Sequence, residues 1–235
     1  MMQRHLIWSY GGGVQSVALA VLISQGALPA PERTLIADTG REAQSTWDYL
    51  HQHVAPLLSP AGVTVEVLSH DLAAVDLYRG STLLIPAYSL KTGAPAPTYC
   101  SVEWKRRVVR RFLRSEGYGP DKPVDLWLGI SCDEYLRAKR SDVAWCAHVY
   151  PLLKLFLRRT DCLNLIARAG LPAPHKSACW MCPWRTASER AELTPDEQHR
   201  AATFDQELRA SEHVTIYRPQ DDSADGCDSG GFCFT

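Results

Sequence analysis

Ser9-Tyr10-Gly11-Gly12-Gly13-Val14-Gln15-Ser16 directly follows the apolar run Leu6-Ile7-Trp8 and precedes a second apolar run, Val17 to Ile23. A strand needs side chains to pack, and glycine weakens a helix interior, so three consecutive glycines belong to neither element. They mark a junction in which a strand passes through bare backbone into a helix. Such backbone lets a ligand approach N–H groups at a helix N-terminus, where the dipole favours an anion. Ser16 stands where an N-cap or phosphate-contacting hydroxyl is expected. A tight turn without a ligand is the alternative, but it requires fewer than three glycines. The Gly-Lys-Ser/Thr ending of a Walker loop is absent.

Outward from this loop, apolar strands alternate with helical patterns. Arg33 to Asp38 reads as a second strand running into Asp38-Thr39-Gly40, and Glu42 to Leu58 as an amphipathic helix. Val63 to Leu68 alternates as a third strand, Asp71 to Tyr78 predicts a short helix, and Gly80 to Pro97 a long loop. Val124 to Ile130 is the clearest buried strand, and Ala144 to Leu153 supplies the last strand and its exit. Thr160 to Ala169, ended by Gly170, and Pro195 to Ala210 read as helices. The pattern predicts an α/β fold: an open, mostly parallel five-stranded sheet flanked by helices, with a helical cysteine-bearing C-terminal part. Expected boundaries are a nucleotide-binding core at 1–158, a helical segment at 159–212 packed on it, and an acidic tail at 213–235.

The chain has 235 residues, enough for one domain with a small appendage. A net charge of −1 gives no global pull toward nucleic acid or a membrane, so any basic surface is local. No run approaches a membrane span and the N-terminus has no signal-peptide pattern, which points to a reducing cytoplasm. Eight cysteines are therefore not read as a disulfide framework.

Several stretches carry chemistry. The helix from Val102 to Ser115 holds Lys105, Arg106, Arg107, Arg110, Arg111 and Arg114, either a solvated face or a contact for phosphates. Gly129 and Ser131 end the strand at Val124 to Ile130, and Cys132-Asp133-Glu134 leads to Arg137. Paired acids beside cations at a strand's carboxyl end suit a polar ligand. The plainer alternative is a helix cap by Asp133 and an ion pair from Glu134. Cys179-Trp180-Met181-Cys182, flanked by prolines, places two thiols to converge on a metal, to act as a redox pair, or to pack. Cys227 and Cys233 lie in a glycine-rich acidic tail, where core packing is not expected.

The loop at Ser9 to Ser16 resembles the Ser-Gly-Gly-x-Asp-Ser loop of PP-loop adenine-nucleotide alpha-hydrolases, in particular their phosphoadenylyl-sulfate (PAPS) reductase-like branch. Gly11 stands for the first Ser of that pattern, Gln15 for the Asp and Ser16 for the last Ser. Asp38-Thr39-Gly40, the Tyr99-Cys100 segment before a Lys-bearing helix, and Gly129 to Arg137 resemble further segments of the branch, over Leu6 to Arg185. The resemblance implies ATP with Mg²⁺, bound through Ser9, Gly11, Gly12, Gly13, Gln15, Ser16, Asp38, Thr39, Gly40, Gly129 and Ser131. Asp133, Glu134, Lys105 and Arg106 would contact substrate, and Arg137, Cys227 and Cys233 would serve catalysis. A 4Fe-4S iron–sulfur cluster, or alternatively zinc, would take Cys100, Cys179 and Cys182, with Cys162 or a tail cysteine as the fourth ligand or with one iron site left open. The activity implied is ATP-dependent sulfur transfer with release of AMP and pyrophosphate. The acceptor would be a nucleic acid and the sulfur donor a protein such as a cysteine desulfurase; a homodimer is compatible with it. PAPS or adenylyl-sulfate reduction, and a nucleotide- or nucleic-acid-binding module with structural zinc, are the alternatives.

Overall fold

The computed structural model describes residues 3–69 and 77–218. In chain order come β1 (His5–Ser9), α1 (Val14–Ser24), β2 (Arg33–Ala37), α2 (Gln44–Tyr49), a π-helical stretch at Leu50–Val54, α3 (Ala55–Leu58) and β3 (Val65–Leu68). Next are β4 (Tyr78–Arg79), β5 (Thr82–Leu83), β6 (Tyr88–Ser89), a π-helical stretch at Ser101–Arg106, α4 (Arg107–Ser115) and β7 (Val124–Leu128). A 3-10 segment at Cys132–Arg137, β8 (Cys146–Val149), α5 (Pro151–Lys154), α6 (Arg159–Arg168), α7 (Ala187–Ala191), α8 (Pro195–Glu212) and β9 (Val214–Thr215) complete it. No helix among the described residues is long and apolar enough to cross a membrane.

The described residues divide into two compact units that interleave along the chain. The first comprises 3–37, Ser45–Leu68 and Arg107–Ser177. Its sheet runs β3-β2-β1-β7-β8 with every neighbour parallel, the predicted α/β class. Successive strand residues face opposite sides, which sorts the core in two. Trp8, Ile36 and Trp127 pack with α1, Val54, Leu58 and the α6 residues Cys162 and Ile166. Ile7, Leu35 and Leu126 pack with Val108, Val109 and Leu113 of α4. α1 is buried from Val14 to Ile23, as expected of a helix apolar on all sides. The chain reverses direction across the sheet between β1 and β7, and open α/β sheets form their ligand crevice at that switch point.

Two expectations are corrected here. The predicted helix Glu42 to Leu58 is not uniform: α2 widens into the π-helical Leu50–Val54 before α3. Pro56 follows, and its ring has no N–H to give and crowds the preceding turn. The last strand ends at Val149 because Pro151 opens α5, where a missing N–H is harmless. α5 then closes in a Schellman arrangement, with Phe156 N–H bonded to Leu153 O at 3.1 Å and Leu157 N–H to Leu152 O at 2.9 Å. The left-handed position usually given to glycine is filled by Phe156, at φ +54°. That conformation costs a residue with a Cβ about 1–2 kcal/mol.

The second unit comprises 38–44, 69, 77–106 and 178–218 among the described residues. Leu84, Ile85, Trp104, Met181, Ala201, Leu208 and Ile216 form its core. Gly80 to Pro97, expected as loop, contains β5 and β6, paired antiparallel with β4 and β9. Of the predicted helix Asp71 to Tyr78, residues 71–76 lie outside the described residues, and Tyr78 is in β4. Asp205 of α8 organises the C-terminal side: its carboxylate accepts from Thr215 Oγ1 at 2.6 Å, Ile216 N–H at 2.7 Å and Arg209 Nε at 2.5 Å. Thr194 and Glu197 form a reciprocal cap at the start of α8.

Candidate nucleotide loop and cysteine turn

In the first unit, Ser9 ends β1 between Leu35 of β2 and Leu128 of β7, so the glycines leave the sheet at the switch point. Gly13 is the N-cap of α1 and provides no side-chain hydrogen bond, so the first turn presents backbone N–H groups. Ser16 does not cap that turn. Its Oγ accepts from Gly11 N–H at 2.9 Å and latches the loop. Gly12 is required by the protein itself: it has φ +76°, and a Cβ would stand 2.6 Å from Thr46 Cγ2 and 2.8 Å from Ser177 Oγ. Ser177 donates to Gly11 O at 2.6 Å, and the strap leading to it is held where Tyr49 donates to Pro172 O at 2.7 Å. Gly13 remains open, since a Cβ there would meet nothing nearer than Ser177 Cβ at 3.8 Å.

Across the switch point, Gly129 follows β7. A Cβ there would stand 3.2 Å from Ser16 N and 3.3 Å from Gln15, so glycine lets the two loops touch backbone to backbone. Gln15 is buried, and its Nε2 donates to Glu134 Oε2 at 3.1 Å and Ser131 Oγ at 3.3 Å. Glu134 also accepts from Arg137 at 2.5 Å. Ser131 donates to Asp133 Oδ2 at 3.0 Å, and the same oxygen accepts from the Arg159 N–H at 2.5 Å, at the start of α6. Partial burial raises the Asp133 carboxyl, but the Arg159 and Ser131 hydrogen bonds and the Arg158 charge outweigh it, and the net shift is downward. The structure thus joins Gln15, Ser131, Asp133, Glu134 and Arg137 into one network, with the acids in the plainer roles of cap and ion-pair partner.

Asp38, Thr39 and Gly40 belong to the second unit. Asp38 accepts from Gly40 N–H at 2.7 Å, an Asx turn, and Thr39 Oγ1 lies 3.6 Å from Cys179 Sγ. Glu42 bridges to Cys179 through backbone and, with its side chain almost fully buried, pairs with Lys105 at 3.1 Å. Arg41 lies over the Trp104 ring at 5.2 Å. The Cys179 to Cys182 turn closes through Cys182 N–H to Cys179 O at 3.0 Å. Buried Arg185 clamps it, donating to Cys179 O at 3.1 Å and Ala178 O at 2.6 Å. Cys179 is partly exposed as a residue, yet burial of its thiol, with the Glu42 charge, pushes its pKa up to about 11.

The cysteines named for a cluster are divided between the two units. Cys162 packs in the first unit's core, where burial pushes its thiol up to about 12. Cys100 shares the second unit's core region with Cys179. Among the described residues no three His, Cys, Asp or Glu side chains form a set that could hold a metal. No chemical step is routed through a cluster or a zinc ion. Cys227 and Cys233 lie outside the described residues.

At least half of the six cations of the basic stretch meet protein groups. Lys105 holds Glu42, Arg110 pairs with Asp142, and Arg114 lies over Trp145 at 5.5 Å. Arg106 is half-buried, with its Nε lacking a hydrogen-bond partner among the described residues. Ser177, Thr46 and Arg185 carry no signal in the sequence. Each acts through packing or carbonyl contacts with residues outside its own local motif, and nothing in the lettering announces that.

The fold and the loop together define an open α/β chain with a glycine loop at its switch point, the fold that the PP-loop resemblance implies. Neither protein families nor curated proteins give a match to the sequence. Among solved structures the chain is similar to the U34-tRNA thiolase NcsA from Methanococcus maripaludis, solved with its 4Fe-4S cluster. The TM-score is 0.48 at 13% identity, over 90% of this chain and 67% of that one. It is also similar to phosphoadenylyl-sulfate reductase from Candida auris in a phosphate complex, with a TM-score of 0.49 at 11% identity, over 76% and 82% of the two chains. Likeness at this level carries no argument about the chemistry, which rests on this chain's own residues.

Proposed function

We propose that the chain is an adenine-nucleotide-dependent enzyme of the PP-loop, PAPS reductase-like kind, which activates an acceptor for sulfur transfer. The observation that carries it is the contact of two loops at the switch point, with the uncapped first turn of α1 facing an open Gly13. The N–H groups of that turn would take ATP phosphates. An acceptor oxygen attacks the α-phosphate, pyrophosphate leaves, and the acceptor carries AMP. A sulfur nucleophile delivered by a donor protein then displaces AMP. Asp133 and Glu134 are engaged by protein groups, so Mg²⁺ would be held chiefly by the nucleotide's own phosphates. Gln15, Ser131, Glu134 and Arg137 would keep the crevice wall rigid rather than exchange protons.

The test is incubation with ATP and, separately, with PAPS. AMP and pyrophosphate from ATP support the transferase. Sulfite from PAPS with no ATP turnover supports the reductase, which the amide of Gln15 in place of an acid favours. Absence of binding to either nucleotide by calorimetry overturns both.

A further inference from the structure

Residues 135–140 (Tyr-Leu-Arg-Ala-Lys-Arg) and 154–159 (Lys-Leu-Phe-Leu-Arg-Arg) contain six cations and no acid, in a chain whose overall net charge is −1. Both stretches are in the first unit, and hydrogen bonds tie each to residues that flank the other. Cys132 N–H bonds to Leu157 O at 2.8 Å, Asp133 takes the Arg159 N–H, and the Tyr150 hydroxyl bonds Lys139 through its N–H at 2.9 Å and its carbonyl at 2.6 Å. The most exposed large apolar side chains among the described residues gather here: Phe156 at 84%, Leu136 at 64%, Tyr135 at 62% and Leu155 at 45%. Lys139, Arg140, Lys154 and Arg159 are exposed, and none is in an ion pair among the described residues. Phe156 is in the left-handed position that glycine would fill without strain, and its side chain is largely in solvent.

We propose that this face binds single-stranded nucleic acid, with Phe156 and Tyr135 stacking on bases and Lys139, Arg140, Lys154 and Arg159 meeting phosphates. Exposed aromatic rings among unpaired cations match the two chemistries that recognise a single strand: base stacking and backbone charge. A second copy of this chain would bring the same cations against themselves, and charge repulsion weighs against it. The face also replaces the basic helix as the nucleic-acid candidate, because several cations of that helix are engaged by protein partners. The inference deepens the proposed function by giving a nucleic-acid acceptor a surface on this chain, and rests on it only for the chemistry, since strand binding needs no nucleotide.

The experiment is fluorescence anisotropy of the full chain with labelled oligo(U) and oligo(dT) of about 12 nucleotides, within the span of a single-strand site, against salt, alongside calorimetry with ATP. Binding is expected, with log K falling linearly in log salt by about 0.7 per phosphate contact. Phe156→Gly removes ring and strain together. It should bind the strand about tenfold more weakly, melt no lower than wild type, and bind ATP unchanged. Lys139→Ala with Arg140→Ala should flatten the salt slope. A preference between oligo(U) and oligo(dT) assigns the strand as RNA or DNA. No strand binding at low salt, or unchanged affinity in Phe156→Gly, overturns the proposal. So does sedimentation that finds a dimer which Phe156→Gly dissolves. Strand binding without ATP binding leaves this face standing and removes the nucleotide loop.

Discussion

Around Gln15 in the first unit, polar side chains answer one another: amide to carboxylate, carboxylate to guanidinium, hydroxyl to carboxylate. Around Cys179 in the second unit, the firm contacts are to backbone, from Arg185, while burial holds the thiol in its neutral form. The first arrangement fixes the wall of a crevice and leaves the chemistry to backbone N–H groups and whatever binds them. The second fixes a turn and keeps its sulfur unreactive until something removes the burial or the proton. The two regions therefore differ in what a substitution does: near Gln15 it disturbs a network, near Cys179 it disturbs a scaffold.

The largest expected effect breaks the scaffold. Asp205 is 4% exposed and is the acceptor for Thr215, Ile216 and Arg209. Asp205→Ala strips Ile216 N–H and Thr215 Oγ1 of their buried acceptor, leaves Arg209 only its bond to Thr215, and should cost about 3–5 kcal/mol, read as a lower urea midpoint. A loss under about 1 kcal/mol would mean that water replaces the carboxylate at little penalty.

Gly12→Val acts on the loop. The positive φ costs about 1–2 kcal/mol and overpacking against Thr46 and Ser177 about 1–3 kcal/mol, so the two together predict a destabilisation of about 3 kcal/mol. Nucleotide binding should fall with it. Gly13→Ala, with only a 3.8 Å neighbour, is the matched comparison and should leave the fold nearly unchanged. If calorimetry then finds nucleotide affinity unchanged in Gly13→Ala, the open face of the loop is not where phosphates sit.

Much of this is legible in the sequence alone. Apolar runs separated by helical patterns set out five strands, and all five form in one parallel sheet. The loop after β1 and Gly129 after β7 both stand out, because a glycine beside a buried strand has few reasons to be there. What stays hidden depends on distant partners. Cys162 and Cys179 look alike in composition, but one faces α1 in an apolar core and the other meets Thr39. The cations of Lys105 to Arg114 read as a free face, since Glu42 and Asp142, which pair with two of them, are far away in sequence. The interleaving of the two compact units is equally hidden, since no run of letters marks where the chain passes from one to the other.

A smaller effect sharpens the network side. Gln15→Glu keeps the shape but turns a donor toward Glu134 into a second carboxylate, and should cost about 1–3 kcal/mol at neutral pH. Like charges raise the carboxyl pKa of the pair above its unfolded value. The variant's deficit is therefore small in acid, where the proton remains, and grows as pH rises through the carboxylate range. Parallel melting curves of variant and wild type from about pH 4 to about pH 7, which span the carboxylate range, check it. Identical pH profiles would mean that the amide contact contributes nothing.

The smallest effect is kinetic and belongs to the scaffold. Cys179 is raised from 9.0 to about 11. Folding thus favours its protonated form, a contribution complete below about pH 9 and lost as pH rises toward about 11. Only the thiolate is alkylated, so iodoacetamide at about pH 9 should modify Cys179 roughly fiftyfold more slowly than an ordinary thiol, about 1% ionised against about half. Mass spectrometry of the Cys179 peptide gives the rate. Adding iron and sulfide anaerobically, or zinc, gives the contrasting arm, because a metal ligand must be a thiolate. Slow labelling that metal leaves unchanged matches the neutral, clamped turn. Rapid labelling at neutral pH that metal blocks and a chelator restores would mean that Cys179 rearranges into a ligand set, and the two regions would then be alike in waiting for a bound group to complete them.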